Sequence, residues 1–178
     1  MKLLRTIRLD PSDTFVFERA AEPGEWAVSG AFAFWDEEPA QLAGKRRSAF
    51  RSGFLGVASL GRSTLVQIVE ARDEDRAEVV DALAQRLVEH FGAPDLATAR
   101  KAADEEVSFA ESLCEHPVDT LVAVHRVVED GEIREAFRTL RPRGGPKPLR
   151  AFSFLEVEGE EEPAEEVDLA GLAKENRK

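Results

Sequence analysis

The sequence is poor in the residue types that most often carry catalytic or metal chemistry. Its 178 residues include one cysteine, three histidines, one methionine and no tyrosine. A single cysteine, Cys114, cannot form an intrachain disulfide, which is typical of a protein from a reducing compartment. Structural metal sites in small proteins usually show paired Cys or His strings, and none is present. The sequence therefore predicts neither a metal site nor a bound cofactor.

Long hydrophobic runs are also missing. The first nine residues carry charges at Lys2, Arg5 and Arg8, which interrupt the apolar core that a signal peptide needs. No stretch reaches the length of a membrane-spanning helix. We expect a cytoplasmic protein with no membrane partner, in which 43% hydrophobic residues suit a single domain that buries roughly two thirds of its unfolded surface.

Positive charge is scarce relative to negative charge. The 24 basic residues face 35 acidic ones, for a formal net charge of −11, which argues against nucleic acid as a partner because phosphate neutralisation needs a cationic face. The last 24 residues hold nine of the acids: Glu156, Glu158, Glu160, Glu161, Glu162, Glu165, Glu166, Asp168 and Glu175. We therefore predict one domain over residues 1–157 and a flexible acidic tail over residues 158–178.

Residues 52–64 almost spell a nucleotide-binding phosphate loop. Gly56 and Gly61 bracket four residues and Arg62-Ser63 follow, so that Arg stands where the loop has Lys. A phosphate loop must open a helix, whose N-terminal amides hold the anion. The residues that follow, 64–69, form a β-branched run that predicts a strand. We therefore expect these glycines to serve a sheet corner or a hairpin.

The first third of the chain has the pattern of short strands separated by turns. A first strand is expected over residues 3–9 and a second from Phe15-Val16-Phe17. Residues 26–35 predict a strand or strand pair bent at Gly30, whose aromatic side chains form either core or a pocket for a flat ligand. Residues 36–51 end in a basic cluster, Lys45, Arg46, Arg47 and Arg51, which could dock an anion. The favoured interpretation is a solvated loop that pairs with the acidic tail. Residues 54–58 and 65–71 predict neighbouring strands of a hairpin.

Helical periodicity follows. Apolar residues at i, i+3, i+4 spacing predict helices at about 73–92 and 95–114, capped by Asp73 and stopped by Gly92 and Pro94. Residues 120–128 and 133–140 predict a hairpin with a type I′ turn at Asp130-Gly131, and residues 149–157 a final strand. The order of elements predicts an α+β domain, in which a helical hairpin packs on one face of a mostly antiparallel sheet.

No catalytic constellation accompanies this fold. Cys114 lies on the apolar stripe of its helix and is expected to be a buried, inert thiol. None of the serines sits in a G-x-S-x-G string, and adjacent carboxylates such as Glu105-Glu106 diverge by about 100° on a helix. His125 could be a sheet histidine or line a cleft. We predict no catalytic residues.

Parts of the sequence resemble a family of small bacterial proteins that is classed only as a domain of unknown function. The resemblance lies in residues 3–35, in Gly53-Phe54-Leu55-Gly56 and in Ser63-Thr64-Leu65-Val66. It implies a cytoplasmic accessory protein and supplies no activity, cofactor or site residue.

Two hypotheses about function follow. The first is a non-enzymatic interaction, adaptor or assembly-factor domain that uses a sheet face or edge, together with the acidic tail, to hold a protein partner or to self-associate. The alternative is an enzyme that binds a small molecule or anion near the loop at residues 53–64, because cationic donors beside backbone amides suit a carboxylate or phosphate. Its candidate ligand-binding residues are Arg51, Arg62, Ser63, Thr64 and His125.

Overall fold

The computed structural model describes residues 1–142 and 155–158, which form eight strands and four helices. The strands are β1 (Lys2–Ile7), β2 (Trp26–Val28), β3 (Phe54–Gly56), β4 (Arg62–Ser63), β5 (Leu65–Glu70), β6 (Leu121–Glu129), β7 (Glu132–Pro142) and β8 (Leu155–Glu158). The helices are α1 (Ser12–Val16), α2 (Gly44–Ser52), α3 (Asp73–His90) and α4 (Leu96–Ser112), with 3₁₀ turns at Ala31–Phe34 and Pro39–Gln41. None of these helices is both long and apolar enough to cross a bilayer.

All neighbouring strands pair antiparallel in one sheet of order β4-β3-β2-β1-β5-β6-β7-β8. Thr64 alone joins β4 to β5, although three strands lie between them in this order. A flat sheet would hold those strands about 19 Å apart, at about 4.8 Å per strand, which one residue cannot span. The sheet therefore curls, and the Ser63 hydroxyl of β4 donates to the carbonyl oxygen of Ile7 at the end of β1.

The helical hairpin has the predicted position and length. Ala99, Ala103, Val107 and Ala110 of α4 are buried, whereas Leu96 at its start is exposed. Helix α4 lies against β1 and β2. At the start of α3 the capping differs from the prediction, because Arg72 takes the N-cap position and the Asp75 carboxylate accepts its backbone N–H at 2.8 Å. Gly92 has the expected positive φ of 75° beyond the last turn. The α+β fold with a helical hairpin on an antiparallel sheet is confirmed.

The predicted β6–β7 hairpin is also confirmed. Glu129 pairs with Glu132 across the turn, and Asp130 and Gly131 have φ values of 51° and 80°. Both central residues therefore have positive φ, as a type I′ turn requires. This geometry keeps the two long strands in register along their whole length.

The predicted strand at Phe15-Val16-Phe17 is wrong, because these residues belong to or directly follow helix α1. The Asp10 carboxylate accepts the backbone N–H of Ser12 at 2.8 Å. Hydrogen bonding from the Ser12 hydroxyl, and then from this N–H, lowers the pKa of Asp10. The Asp-Pro-Ser-Asp string that marks a turn thus starts a short helix. Only Phe17 of the three side chains is buried.

The aromatic stretch at residues 26–35 does not stay extended. Strand β2 ends at Val28, Gly30 has a φ of 77°, and the chain continues as a 3₁₀ turn. A Cβ at Gly30 would overlap the Cβ of Leu55, so close packing as well as positive φ requires glycine here. Phe34 enters the core, whereas Trp35 is 72% exposed.

Two further predictions for the middle of the chain are wrong. Residues 36–51 are not a solvated loop, because they contain a 3₁₀ turn and most of α2, whose buried Ala49 and Phe50 pack in a second small core with Phe17 and Phe34. Strands β3 and β5 do not form a hairpin, since β3 pairs with β2 and β4. The predicted final strand is described only at Leu155–Glu158, and the acidic tail beyond residue 158 lies outside the described residues.

Candidate functional site

The glycine string that resembles a phosphate loop holds a carboxylate of the protein itself. One Glu25 carboxylate oxygen accepts the backbone N–H groups of Ala58 and Ser59 at 3.1 and 3.0 Å. A Cβ at Gly56 would overlap this carboxylate, which explains the glycine. Arg62-Ser63 then forms strand β4 instead of opening a helix, so the prediction that this string belongs to the sheet is confirmed.

Three of the five candidate residues are engaged within the fold. Arg62 is only 5% exposed, and its Nη1 donates to the carbonyl oxygens of Gly30 and Gly53, both at 3.3 Å. The Ser63 hydroxyl donates to the carbonyl oxygen of Leu65 at 2.6 Å. Thr64 donates its hydroxyl and its backbone N–H to the Asp13 carboxylate at 2.5 and 3.2 Å.

The other two candidates lie elsewhere. Arg51 is exposed near the end of α2. His125 lies on β6, where the side chains of Val124 and Arg126 are buried on the opposite face. Arg62 and Arg126 donate to the same carbonyl oxygen, that of Gly53, so Arg62 shares the face of Arg126 and not that of His125. The five residues do not converge on one pocket.

Sequence reasoning missed Arg126, the largest fully buried side chain of the described residues. Its Nε donates to Glu135 at 2.9 Å, its Nη1 to the carbonyl oxygens of Phe50 and Gly53 at 3.0 and 2.9 Å, and its Nη2 to the carbonyl and hydroxyl oxygens of Ser29. These five bonds equal the five N–H donors of a guanidinium. Ser29 in turn donates its hydroxyl to Glu135.

One signal in the sequence could have found this network. Arg126 occupies the same face of β6 as Val122 and Val124, and the hairpin register places Glu135 directly opposite it. An arginine on an apolar strand face with a carboxylate as its cross-strand partner indicates a buried ion pair. Its remaining partners are backbone carbonyls, which no sequence pattern reveals. Burial lowers the pKa of Arg126, and the neighbouring Glu135 opposes that change.

Two further groups have strongly shifted pKa values. Burial, followed by the charge of Glu135, raises the pKa of Glu106 to about 7. Burial raises the pKa of the Cys114 thiol to about 12, and this thiol donates to the carbonyl oxygen of Ala110 at 3.3 Å. Cys114 is therefore buried and protonated, as its place on the helix predicted.

An apolar groove runs between the 3₁₀ turn at residues 31–34 and the helical hairpin. It has a volume of about 300 Å³, which is at the lower end of the range of ligand sites. Phe32 and Phe91 contact each other edge to face, with ring centroids 5.2 Å apart. The groove is lined by Phe32, Trp35, Leu87, Phe91, Gly92, Ala93, Pro94, Thr98, Ala99, Ala102, Glu105 and Glu106. It is thus mostly apolar, with two carboxylates from α4.

Within residues 1–142 and 155–158, no three His, Cys, Asp or Glu side chains lie close enough together to hold a metal ion. His90 and Arg62 line different cavities. Comparison with known proteins gives one finding: residues 1–153 match the model of a family described as a family of unknown function, DUF6505. No curated protein and no solved structure matches the chain.

Proposed function

The chain belongs to the family of unknown function DUF6505, and we propose that it is a non-enzymatic interaction module that binds an apolar, basic segment of a partner protein. The observation that carries this proposal is the groove, where Trp35 is 72% exposed beside Phe32 and Phe91. Tryptophan is enriched among the residues that contribute most to protein–protein binding. A large aromatic side chain left in water at the rim of an apolar groove is suited to cover a bound side chain.

The charges of the groove favour a basic partner. Glu105 and Glu106 are the charged residues of its lining. Glu106 is half-buried and near Glu135, so a Lys or Arg of a partner placed beside it would favour its ionised form. The acidic segment at residues 158–178 of this chain has the wrong charge for that role. We therefore favour a partner segment with an aliphatic or aromatic residue next to a basic one.

This site differs from the sheet face or edge that the sequence suggested. We favour the groove because it joins an exposed aromatic side chain to preformed walls. The competing hypothesis of an enzyme has less support, since the candidates Arg51, Arg62, Ser63, Thr64 and His125 do not share a pocket. A cytoplasmic location remains part of the proposal, and the free, buried Cys114 fits a reducing compartment.

The test uses the Trp35 fluorescence and a panel of decapeptides. In a Trp26→Phe background Trp35 is the only tryptophan, so its emission reports on the groove. Peptides with one Phe or Leu next to Lys are compared with the same peptides carrying Glu in place of Lys. We expect a blue shift and micromolar dissociation constants for the Lys peptides and at least tenfold weaker binding for the Glu peptides.

Two variants make this test specific. Glu105→Lys should exchange the preference, so that the Glu peptides bind better than the Lys peptides. Followed with labelled peptides, Trp35→Ala should weaken binding at least tenfold, whereas Phe15→Ala, which removes an equally exposed aromatic side chain outside the groove, should leave it unchanged. The groove would be refuted as the interaction site if Trp35→Ala left the dissociation constants of the peptides unchanged, or if no peptide bound with a dissociation constant below about 1 mM.

A further inference from the structure

A second cavity of the structure has a cationic lining. It has a volume of about 120 Å³, similar to apolar cavities of about 150 Å³ that accommodate benzene. Phe91 forms part of its wall and part of the wall of the apolar groove. The lining consists of Glu18, Arg19, Ala33, Lys45, Arg46, Ala49, Leu55, Leu60, Arg62 and Phe91. Four cationic side chains and one carboxylate thus border a space large enough for about six non-hydrogen atoms.

Arg62 is the buried charged residue of this lining. Its Nη1 donates to two backbone carbonyls, whereas its Nε and Nη2 make no hydrogen bond within the described part of the chain. The same part of the chain offers Arg62 no carboxylate at ion-pair distance. Burial, and then the charges of Arg126 and Arg46, lower the pKa of Arg62 to about 9. Arg62 is therefore a buried cation that lines the cavity and has two nitrogens without a partner in the described part of the chain.

The other cationic residues raise the potential further. Lys45 and Arg46 lie in the first turn of α2, at the positive end of the helix dipole, and no acidic residue occupies that turn. Arg46 is paired with Glu37 through hydrogen bonds from its Nε at 3.0 and 3.1 Å. The Arg19 Nη1 donates to the carbonyl oxygen of Ser59 at 3.0 Å. Even with the neighbouring Glu18, Asp36 and Glu37 counted, the positive charges outnumber the negative ones by four to three.

We propose that this cavity binds a small organic carboxylate of about four carbon atoms, held by the Nε and Nη2 of Arg62. A guanidinium presents these two N–H groups as a planar fork that matches a carboxylate. The apolar side chains of Ala33, Ala49, Leu55, Leu60 and Phe91 would contact its hydrocarbon part. The size and the apolar walls favour such an acid over inorganic phosphate. This site is separate from the peptide groove and does not depend on the function proposed for it.

The test measures stabilisation by sodium butyrate at constant ionic strength, with sodium chloride, phosphate and sulfate as comparisons. Thermal unfolding followed by circular dichroism should show a saturable rise in Tm with butyrate, because a ligand that binds the folded state stabilises it. Calorimetric titration should give a Kd of about 1 mM, an affinity that six non-hydrogen atoms can supply because very small ligands reach the highest binding energy per atom. A Tm that depends only on ionic strength, or a larger rise with phosphate than with butyrate, would overturn the proposal.

Charge variants of exposed residues separate binding from folding. Lys45→Gln should weaken butyrate binding at least about threefold, whereas Arg47→Gln, on the same helix but outside the cavity lining, should not. Glu18→Gln should strengthen binding. Arg62→Met should abolish the butyrate response if the variant folds. Should it not fold, the Lys45, Arg47 and Glu18 series still decides, and equal affinities across that series would contradict the assignment.

Discussion

Arg126 and Arg62, the two buried arginines among the described residues, share one hydrogen-bond acceptor but differ in how many of their donors are paired. Both donate through Nη1 to the carbonyl oxygen of Gly53, at 2.9 and 3.3 Å respectively. Every donor of Arg126 has a partner, including the Glu135 carboxylate. Arg62 uses one nitrogen, contacts the ring of Phe34 at 4.8 Å, and adjoins a cavity.

The difference shows that burial by itself does not indicate the role of a charged residue, whereas the number of its paired donors does. A buried guanidinium with all five donors paired links the segments that supply its partners, here the β6–β7 hairpin, the end of α2 and the residue after β2. A buried guanidinium that lines a cavity and leaves three N–H donors without a protein partner keeps capacity for a ligand. Arg126 therefore belongs to the stability of the fold, and Arg62 to the proposed binding site.

The largest expected effect comes from breaking the closed network. Arg126→Met should lower the free energy of unfolding by about 3–5 kcal/mol. It removes the charge partner of the partly buried Glu135 carboxylate and the guanidinium donors to the carbonyl oxygens of Phe50 and Ser29. Urea unfolding measures this change. Arg134→Met, which removes an exposed arginine of β7, should cost about 0.5 kcal/mol or less.

A double variant sharpens this test. Glu135→Met added to Arg126→Met should recover part of the loss, since it removes the unpaired carboxylate. A cost below about 1 kcal/mol for Arg126→Met alone would show that the network does not hold these segments together.

The sequence predicts some elements of this fold and misses others. The helical hairpin and the β6–β7 hairpin could be predicted because their signals are local: apolar periodicity, Gly92 after a helix, and Asp130-Gly131 in a turn. Helices α1 and α2 were missed because short polar segments lack such periodicity, and α2 is stabilised by packing Ala49 and Phe50 against Phe17 and Phe34. Tertiary contacts decide these elements.

The candidate site illustrates the same limit. The sequence marks Arg62 as a possible anion ligand through its place after Gly61, but its partners come from Gly30 and Gly53 in other segments. The groove residues Trp35 and Phe91 lie 56 positions apart, and only the fold brings them together. The curl of the sheet, which brings β4 close to β1, was likewise not predicted from the sequence.

An intermediate effect is expected at Glu106, which is partly buried and senses the charges of Glu135 and Arg126. Its folded pKa of about 7 exceeds its ordinary value of 4.5, so the folded state favours the protonated form. The stability it contributes is complete below about pH 4.5 and is lost as the pH rises through 7. Glu106→Gln should therefore stabilise the protein at pH 8 by about 1–3 kcal/mol relative to its effect at pH 5.

Urea unfolding at pH 5, 6, 7 and 8 measures this dependence on pH. Glu78→Gln, which removes an exposed carboxylate from α3, serves as the matched control and should show no comparable trend. If the difference in free energy of unfolding between Glu106→Gln and the parent protein is the same at all four pH values, then burial and Glu135 do not raise the pKa of Glu106.

The smallest expected effect is at Glu37, whose carboxylate pairs with Arg46 and partly offsets the charge of Arg62. The Arg46 guanidinium donates to both oxygens of this carboxylate and lowers the pKa of Glu37. Because both side chains are partly exposed, Glu37→Gln should cost at most about 1 kcal/mol of unfolding free energy at pH 7. This contribution is present above the ordinary pKa of 4.5 and is lost as the pH falls through the lowered pKa of the folded state, so the cost should shrink as the protein is acidified below pH 4.5.

The same substitution removes the carboxylate that offsets the charge of Arg62 and releases Arg46 towards the cavity. Butyrate should therefore bind Glu37→Gln about two- to threefold more tightly than it binds the parent protein, while Glu38→Gln, an exposed neighbour of equal charge, leaves the affinity unchanged. Weaker binding to Glu37→Gln would mean that the Arg46–Glu37 pair positions the ligand instead of competing with it. Ligand binding by Arg62 would then require the Arg46–Glu37 ion pair. Arg62 and Arg126 would in that case differ in the positions of the groups around them, and not in the net charge of those groups.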